Sequence, residues 1–591
     1  MKPMPITALF AFLLLVTGCN PTAPKDTDSG NIASPHINLT LAPQARVDAP
    51  DTIGSVQIQL QISGKTFQKD APVLQIPLVS SNVDTVATIV TDLKANDANG
   101  PLTLSAMDKT LDEQNAGDAV IGGNSRLWYA DRQPDGPIHV TYTVPANASL
   151  PPRGPAPPFS FLSKDGGTSA AGHVFLILPP GDDSYQTEID WDLTAAPPES
   201  RGISSIGEGH VSAEMTAVTM RMSFYMMGNV QTYPEIVPEN GFFSAWYGTP
   251  PFDAENLMHW TADLYTHYSA FFGMKEVPPY GVFLRYNPVN AGGGVGLHHS
   301  FVTTFGEQGD TTISGLKSTL AHEMFHTFQP FIEEPGGLES SWFGEGLAVF
   351  YQARLPTRFA MMSSEDFLAD LNFAASRYYT SLMAEAPNSE IPKKFWLDTR
   401  IRTLPYDRGM LYFATVDHEL RTQTEGEVTL DTLMLKLLEQ SNNGHALTNS
   451  DWEKELNTHL GPSAVAEFQD FLNGTLIVPD ASAFGPCFTR TQVPLRRYEL
   501  GFDPAVLSEP TRIIRNLVIG SAADQAGLQN GDEIVHPIPQ DHIQGEQTQE
   551  LTVTIRRNGD EFTLSYLPRG ETVDAYQWIK NPNHSDENCE L

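Results

Sequence analysis

The sequence predicts a multidomain α+β protein: a β-sandwich-like N-terminal domain, a mixed central domain, a helical domain and a small β-rich module at the C-terminus. Three observations carry this expectation. The chain has 591 residues, about four times what one hydrophobic core of ~150 residues serves. Residues 37–200 alternate apolar and polar side chains with a period of two, whereas residues 313–480 repeat at helical spacing. The last hundred residues return to short strands around tight turns. With 40% hydrophobic and 18% charged residues, the composition suits a folded chain rather than a fibre or long disorder. The formal net charge of -35 repels phosphate backbones, so no nucleic-acid partner is expected.

The first element is an address. Lys2 precedes an eleven-residue apolar run, Ile6–Val16, too short to span a bilayer, which needs ~20 residues, and suited to a signal-peptide core. Val16-Thr17-Gly18-Cys19 resembles a bacterial lipobox, which implies that residues 1–18 are removed and that Cys19 carries the lipid. Two or more acyl chains then hold the protein at a membrane where one would let go. Asn20 is not the Asp linked to inner-membrane retention, so the expected location is the cell envelope, lipid-anchored at the outer membrane. Residues 19–36, polar and proline-bearing, read as a flexible tether.

The β-rich domain is placed at 37–205. Ser55–Ile62, Ile138–Val144 and His173–Leu178 are its clearest strands, separated by Pro and Gly clusters such as 151–158. Further strands are read at Ser223–Met227 and Gly281–Tyr286, with a helix over 253–274 between them. Helices are expected at 364–385, 408–422, 429–441 and 463–474.

The chemistry centres on residues 322–345. His322-Glu323-Met-Phe-His326 is an H-E-x-x-H motif; on a helix, residues four apart share a face, so both imidazoles reach one cation. Glu323 then stands where a carboxylate can take a proton from metal-bound water. Pro330 is expected to end this helix soon after the motif. A catalytic zinc ion commonly keeps three protein ligands and a water, so a third ligand is required. Glu345, in Trp342-Phe-Gly-Glu345-Gly, is separated from His326 by eighteen residues, with Gly336 and Gly337 available for the turn between two helices.

This spacing resembles that of the gluzincin metallopeptidases. Trp342-Phe-Gly-Glu345-Gly together with Pro405-Tyr406-Asp-Arg-Gly409 resembles the glycyl-aminopeptidase family among them. The resemblance covers about 200–570 and implies a thermolysin-like zinc metallopeptidase domain at 206–345, a helical domain completing the active site at 346–480, a PDZ domain at 488–570 and a C-terminal tail at 571–591. It further implies one Zn²⁺ on His322, His326 and Glu345, Glu323 as general base, and Tyr406 as the phenol that stabilises the oxyanion.

The chain also departs from that family. In Gly292-Gly-Gly-Val-Gly296-Leu-His298-His299, the family's Glu slot holds His298, and the later Ser slot holds Val302. Gly296, His298 and His299 are the candidate substrate-binding residues of this segment. A histidine does not replace the carboxylate that grips a substrate's α-ammonium in related aminopeptidases.

In the C-terminal module, Glu499-Leu500-Gly501-Phe502 resembles the carboxylate-binding loop of PDZ domains, and Ser521–Leu528 followed by Asn530–Val535 resembles the PDZ pattern of proteases. Leu500, Gly501 and Phe502 are thus expected to hold a C-terminal peptide. Leu551–Ile555 and Glu561–Tyr566 around Asn558-Gly559 read as a hairpin. Cys487 and Cys589 are candidates for a disulfide in an exported protein; unpaired, they are two free thiols. The expected function is peptide-bond hydrolysis by metal-activated water, aminopeptidase-like, with the PDZ domain recruiting peptides. The alternatives are an endopeptidase of the same fold and a non-enzymatic peptide-binding protein on a retired protease scaffold.

Overall fold

The computed structural model describes residues 35–80, 83–111, 123–147, 159–275, 277, 279–287, 294–306, 313–509, 511–536, 538, 540–584 and 591. Cys19, Cys589 and the tether to residue 34 lie outside them.

A seven-stranded sheet opens the chain. Its strands are β1 (His36–Ala45), β2 (Ile53–Ser63), β3 (Thr91–Asp97), β4 (Gly100–Leu102), β5 (Ile138–Pro145), β6 (Ser184–Trp191) and β7 (Val211–Thr216), in the order β7-β6-β1-β2-β5-β3-β4. The period-two reading of the sequence is visible in β2, where Val56, Ile58, Leu60 and Ile62 are buried and polar residues intervene. The β region runs past residue 205, because β7 pairs with β6, and Phe224–Gly228 pairs with Gly167–Ala171 in a separate small sheet. His173–Leu178, read as a strand, instead begins with a helical turn over Gly172–Phe175. A fully buried apolar run carries no alternation, so periodicity alone cannot separate the two.

The central sheet has five strands: β8 (Gln231–Tyr233), β9 (Phe242–Trp246), β10 (Tyr280–Tyr286), β11 (Gly294–Leu297) and β12 (Ser300–Phe305), ordered β8-β9-β10-β12-β11. β9, β10 and β12 are parallel, and β11 is an antiparallel edge. Both faces of this sheet are covered. Phe242, Trp246, Val282, Leu284, Phe301 and Phe305 join the core on the helical side. Phe243, Ala245, Phe283, Val302, Val295 and Leu297 join the core of the N-terminal β region. That double burial is why these strands read as near-continuous apolar runs. On β11, Val295 and Leu297 take the β side, so alternation turns Gly296 toward the helices.

Helices supply the other side, among them α1 (Ala254–Phe271), α2 (Ile313–His326), α3 (Ser341–Arg358), α4 (Ser364–Tyr379), α5 (Leu404–Gln423), α6 (Leu430–Asn442), α7 (Asn449–His459) and α8 (Pro462–Leu472). The expected helix at 364–385 stops at Tyr379, and the one at 408–422 begins four residues earlier, with Pro405 in its first turn.

The C-terminal module has its own small core, including Tyr498, Leu500, Phe502, Ile534, Val553, Ile555 and Tyr566. A ribbon of β13 (Phe488–Tyr498) and β18 (Arg569–Lys580) joins it to α4, where the Asn372 carboxamide donates to the Trp578 carbonyl and accepts from the Trp578 N–H. Between them, β14 (Arg512–Ile513), β15 (Glu533–Ile534), β16 (Leu551–Arg557) and β17 (Asp560–Tyr566) form a four-stranded sheet. The β16–β17 hairpin turns at Asn558 and Gly559, both at positive φ (54° and 96°), the conformation an Asn-Gly turn favours. After Phe502 the chain enters a 3₁₀ helix, Pro504–Ser508, rather than a strand. Cys487 is disulfide-bonded. No helix among the described residues is long and apolar enough to cross a membrane.

Candidate metal centre

α2 carries His322, Glu323 and His326 and is buried along nearly its whole length, with Leu316, Leu320, Met324 and Phe325 in the core. Its imidazoles emerge toward α3. The turn between the two helices uses Gly337 at φ 67°, as its sequence position suggested. α3 is set by Trp342, whose indole packs against Phe413, Trp452, Phe468 and Phe471 of the helical domain. One turn later, Glu345 faces α2.

The three candidate ligands meet. Nε2 of His322 is 3.1 Å from Oε2 of Glu345 and 3.1 Å from Nε2 of His326, which is 3.4 Å from the same carboxylate oxygen. A tetrahedral zinc ion with bonds of ~2.0–2.1 Å sets its ligand atoms ~3.3–3.4 Å apart. The observed triangle therefore fits one such ion. His322 and Glu345 are buried, and His326 keeps 10% of its side chain exposed, leaving an approach from one side. Among the described residues this is the one group of three or more His, Cys, Asp or Glu side chains able to hold a metal.

The electrostatics follow from burial. Desolvation alone would raise the Glu345 carboxyl, but its contacts with His322 and His326 hold it down to about 2, so it stays ionised. Burial drives the His326 imidazole down, toward the neutral form a metal requires. Glu323 is pushed well above the carboxylate range by burial and by the charge of Glu345. Its Oε1 is buried and has no hydrogen-bond partner among the described residues. An orphaned carboxylate oxygen beside three candidate ligands is costly for stability and fits a group that meets a water or substrate proton.

Each imidazole is backed by a carboxamide. Nδ1 of His322 is 2.8 Å from Oε1 of Gln352, and Gln352 Nε2 donates to both oxygens of Asp370 at 2.9 Å. Burial pushes the Asp370 carboxyl up to about 6. Nε2 of Gln329 lies 2.6 Å from Nδ1 of His326. An imidazole whose Nε2 lone pair faces a cation carries its proton on Nδ1, so the Gln329 oxygen belongs there; the reverse orientation leaves that oxygen buried and unpartnered. Gln329, Gln352 and Asp370 were not read from the sequence. Gln352 had a signal: it follows Glu345 by seven residues, two turns along the same helix face.

Tyr406 reaches the centre from α5. Its hydroxyl donates to Oε1 of Glu345 at 2.9 Å, on the oxygen turned away from the histidines. Two glycines allow this. A Cβ on Gly409 would lie 2.7 Å from Gly346 Cα and 2.7 Å from Trp342 O, so α3 and α5 cross backbone against backbone. Asp407, next along α5, forms a buried bidentate pair with Arg377 at 2.6 and 2.7 Å.

Gly296 faces Glu323 as alternation requires: a Cβ there would stand 3.1 Å from Glu323 Oε2. His298 and His299 follow Gly296 after Leu297. They form the turn of the β11–β12 hairpin, with His299 at φ 45°, and their rings pack on each other at 4.1 Å. No hydrogen bond or ring contact joins either to the metal triad among the described residues. Burial, with a smaller contribution from His299, drives His298 down to about 3, so it is neutral.

At the C-terminal module, Leu500, Gly501 and Phe502 line a cavity of about 280 Å³ whose lining also includes Leu382, Thr399 and Arg400. Their backbone N–H groups donate to no acceptor among the described residues.

No protein-family model matches this chain, and no curated protein matches it. Its fold is found among solved structures. An aminopeptidase N family protein from Idiomarina loihiensis superposes with a TM-score of 0.61 at 14% identity, over 93% of this chain and 98% of its own. An M1 zinc metallopeptidase from Deinococcus radiodurans gives a TM-score of 0.42 at 13% identity, over 76% of this chain and 96% of its own. Yeast LTA4 hydrolase in complex with bestatin gives 0.40 at 10% identity, over 77% and 69%. The first likeness shows that the whole architecture is shared with that protein; identity this low speaks to fold alone.

Proposed function

We propose that this protein is a zinc-dependent peptidase, aminopeptidase-like, with a C-terminal module that receives peptides. The observation that carries this reading is the convergence of His322, His326 and Glu345 at ligand spacing, with the unpartnered Glu323 carboxylate oxygen beside them. The shared fold with an aminopeptidase N family protein supports it.

A zinc ion held by these three residues would acidify a bound water toward a pKa of ~7 and polarise a carbonyl. The chain's own groups supply the rest. Glu323 takes the proton at Oε1 and returns it to the departing amine. Edge strand β11 presents the Gly296 backbone to an extended substrate, and the absent Cβ keeps the space next to Glu323 open. Tyr406, held at 2.9 Å by Glu345, brings a phenol donor to the oxyanion side.

The Glu323→Gln variant tests this. It should keep zinc, seen by metal analysis, and lose ~10²–10⁴-fold in peptide turnover. Unchanged turnover on a peptide-library digest refutes the mechanism.

A second reading of the same chemistry rests on His298. A neutral, buried imidazole stands where related aminopeptidases carry the anion for a free α-ammonium. This favours an enzyme that accepts blocked or internal peptide bonds. Cleavage of N-acetylated peptides supports it, and strict dependence on a free amine excludes it.

The C-terminal module is read as a receptor for a chain-terminal carboxylate. Three amides at 500–502 that meet no acceptor among the described residues, beside the cavity, support that, while the 3₁₀ helix at 504–508 withholds the edge strand along which a longer peptide would pair. Lipidation at Cys19 would place the enzyme in the cell envelope; the disulfide at Cys487 fits such an oxidising compartment.

A further inference from the structure

The strongest unassigned arrangement is the row of side chains behind His322. Gln352 on α3 is 4% exposed, and its carboxamide is pinned between an imidazole and a carboxylate. The carboxylate of Asp370 accepts hydrogen bonds and has no proton to give. Gln352 must therefore turn its NH₂ toward Asp370, and both 2.9 Å contacts are of that kind. Its oxygen is then left facing His322 Nδ1 at 2.8 Å, so Nδ1 carries the proton and donates. A neutral imidazole with its proton on Nδ1 has its lone pair on Nε2, the atom 3.1 Å from Glu345 and from His326. The direction of every hydrogen bond in the row is thus decided at its far end, on α4, outside the ligand shell.

We infer that Asp370 and Gln352 form a polarity relay that fixes the tautomer of His322 and so readies it as a metal ligand, making both of them positioning residues of the centre. The inference rests on the zinc reading above and deepens it. Outer groups that orient a ligand histidine are usually a carboxylate or backbone carbonyl in direct contact. Here an amide is interposed, and it transmits the orientation without placing a second carboxylate against the ligand cluster. Ser318, one turn before His322 on α2, also hydrogen-bonds Asp370, so the anchor of the relay is tied to the ligand helix.

The relay makes a prediction that packing does not. Gln352→Met keeps length and shape but removes the acceptor. Gln352→Glu combined with Asp370→Asn exchanges the charged and amide partners: the amide introduced at position 370 donates to the carboxylate introduced at position 352, and that carboxylate accepts from His322. Zinc dissociation constants are measured on the full chain by chelator competition, with circular dichroism to establish folding. Gln352→Met should bind zinc ~10–100-fold more weakly, and the double variant should return to within about threefold of wild type. Gln352→Met binding within threefold of wild type overturns the relay, as does a double variant no tighter than the single one. If Gln352→Met does not fold, the double variant decides alone: zinc bound within threefold supports the relay, and a loss of tenfold or more overturns it. A wild-type chain that takes up no zinc is a different result; it overturns the zinc reading itself.

Discussion

The crossing of α3 and α5 at Gly346 and Gly409 gives the sharpest test of how the fold builds the centre. In Gly409→Ala the new methyl would sit 2.7 Å from Gly346 Cα and from Trp342 O, where ordinary contact between such atoms begins near ~3.5 Å. The helices must part by ~0.8 Å, or one must rotate. Neither glycine has positive φ, so alanine meets no backbone strain and by helix propensity alone would stabilise α5 by ~1 kcal/mol. Overpacking opposes this with ~1–3 kcal/mol, and Trp342 is walled in by aromatic rings that cannot yield cheaply. The net expectation is a loss of up to ~2 kcal/mol. The functional effect is larger. Moving Tyr406 by ~0.8 Å stretches its 2.9 Å bond to Glu345 beyond hydrogen-bond range. Misplacement on this scale is worth ~10²-fold in rate. Urea denaturation and peptide turnover, measured on Gly409→Ala and Gly346→Ala side by side, check both effects. A Gly409→Ala protein that is more stable than wild type and fully active would show that the helices do not touch there, and the account of Tyr406 would fall with it.

Other outcomes follow from the same physics. Tyr406→Phe should keep zinc while losing turnover, mostly in kcat, if the phenol acts on the transition state; a pure rise in KM would contradict that role. His173 is buried and driven by desolvation from 6.5 down to about 4. Below pH 6.5 the unfolded chain binds a proton that the folded one refuses, so stability is present above that pH and is lost as pH falls toward 4, by ~3 kcal/mol. His173→Gln should flatten that part of the pH dependence in chemical denaturation, and an unchanged slope would remove His173 from the account. Asp541→Ala should strand the buried Arg402 guanidinium, whose Nε lies 3.0 Å from that carboxylate, and destabilise the docking of the C-terminal module by ~3–5 kcal/mol. Denaturation midpoints check this, and a neutral result would mean that Arg402 finds water or another acceptor.

How much of this was legible beforehand depended on the range of the signal. The H-E-x-x-H spacing is a property of one helix: two imidazoles four residues apart must share a face, so His322, Glu323 and His326 could be named from neighbours in the chain. Glu345 was legible because the intervening segment is short and turns at glycine. The alternating strands of the first domain and the Asn-Gly hairpin were local too. His173–Leu178 misled because a segment buried on all sides keeps no polar positions to mark its period. His298 and His299 sat in a recognisable stretch, but that a two-residue turn packs their rings on each other is a property of the hairpin.

What the sequence determined by itself, then, was the shared face of His322, Glu323 and His326, since helical geometry converts spacing directly into proximity. Tertiary structure alone decided the rest. That Gly346 meets Gly409 depends on two residues more than sixty positions apart, on different helices, approaching to backbone contact. That Gln352 leads to Asp370 depends on a third helix packing beside them, which no periodicity records. A hydrogen bond needs its partners placed to within a few tenths of an ångström, and across separate elements only the packed core supplies that placement.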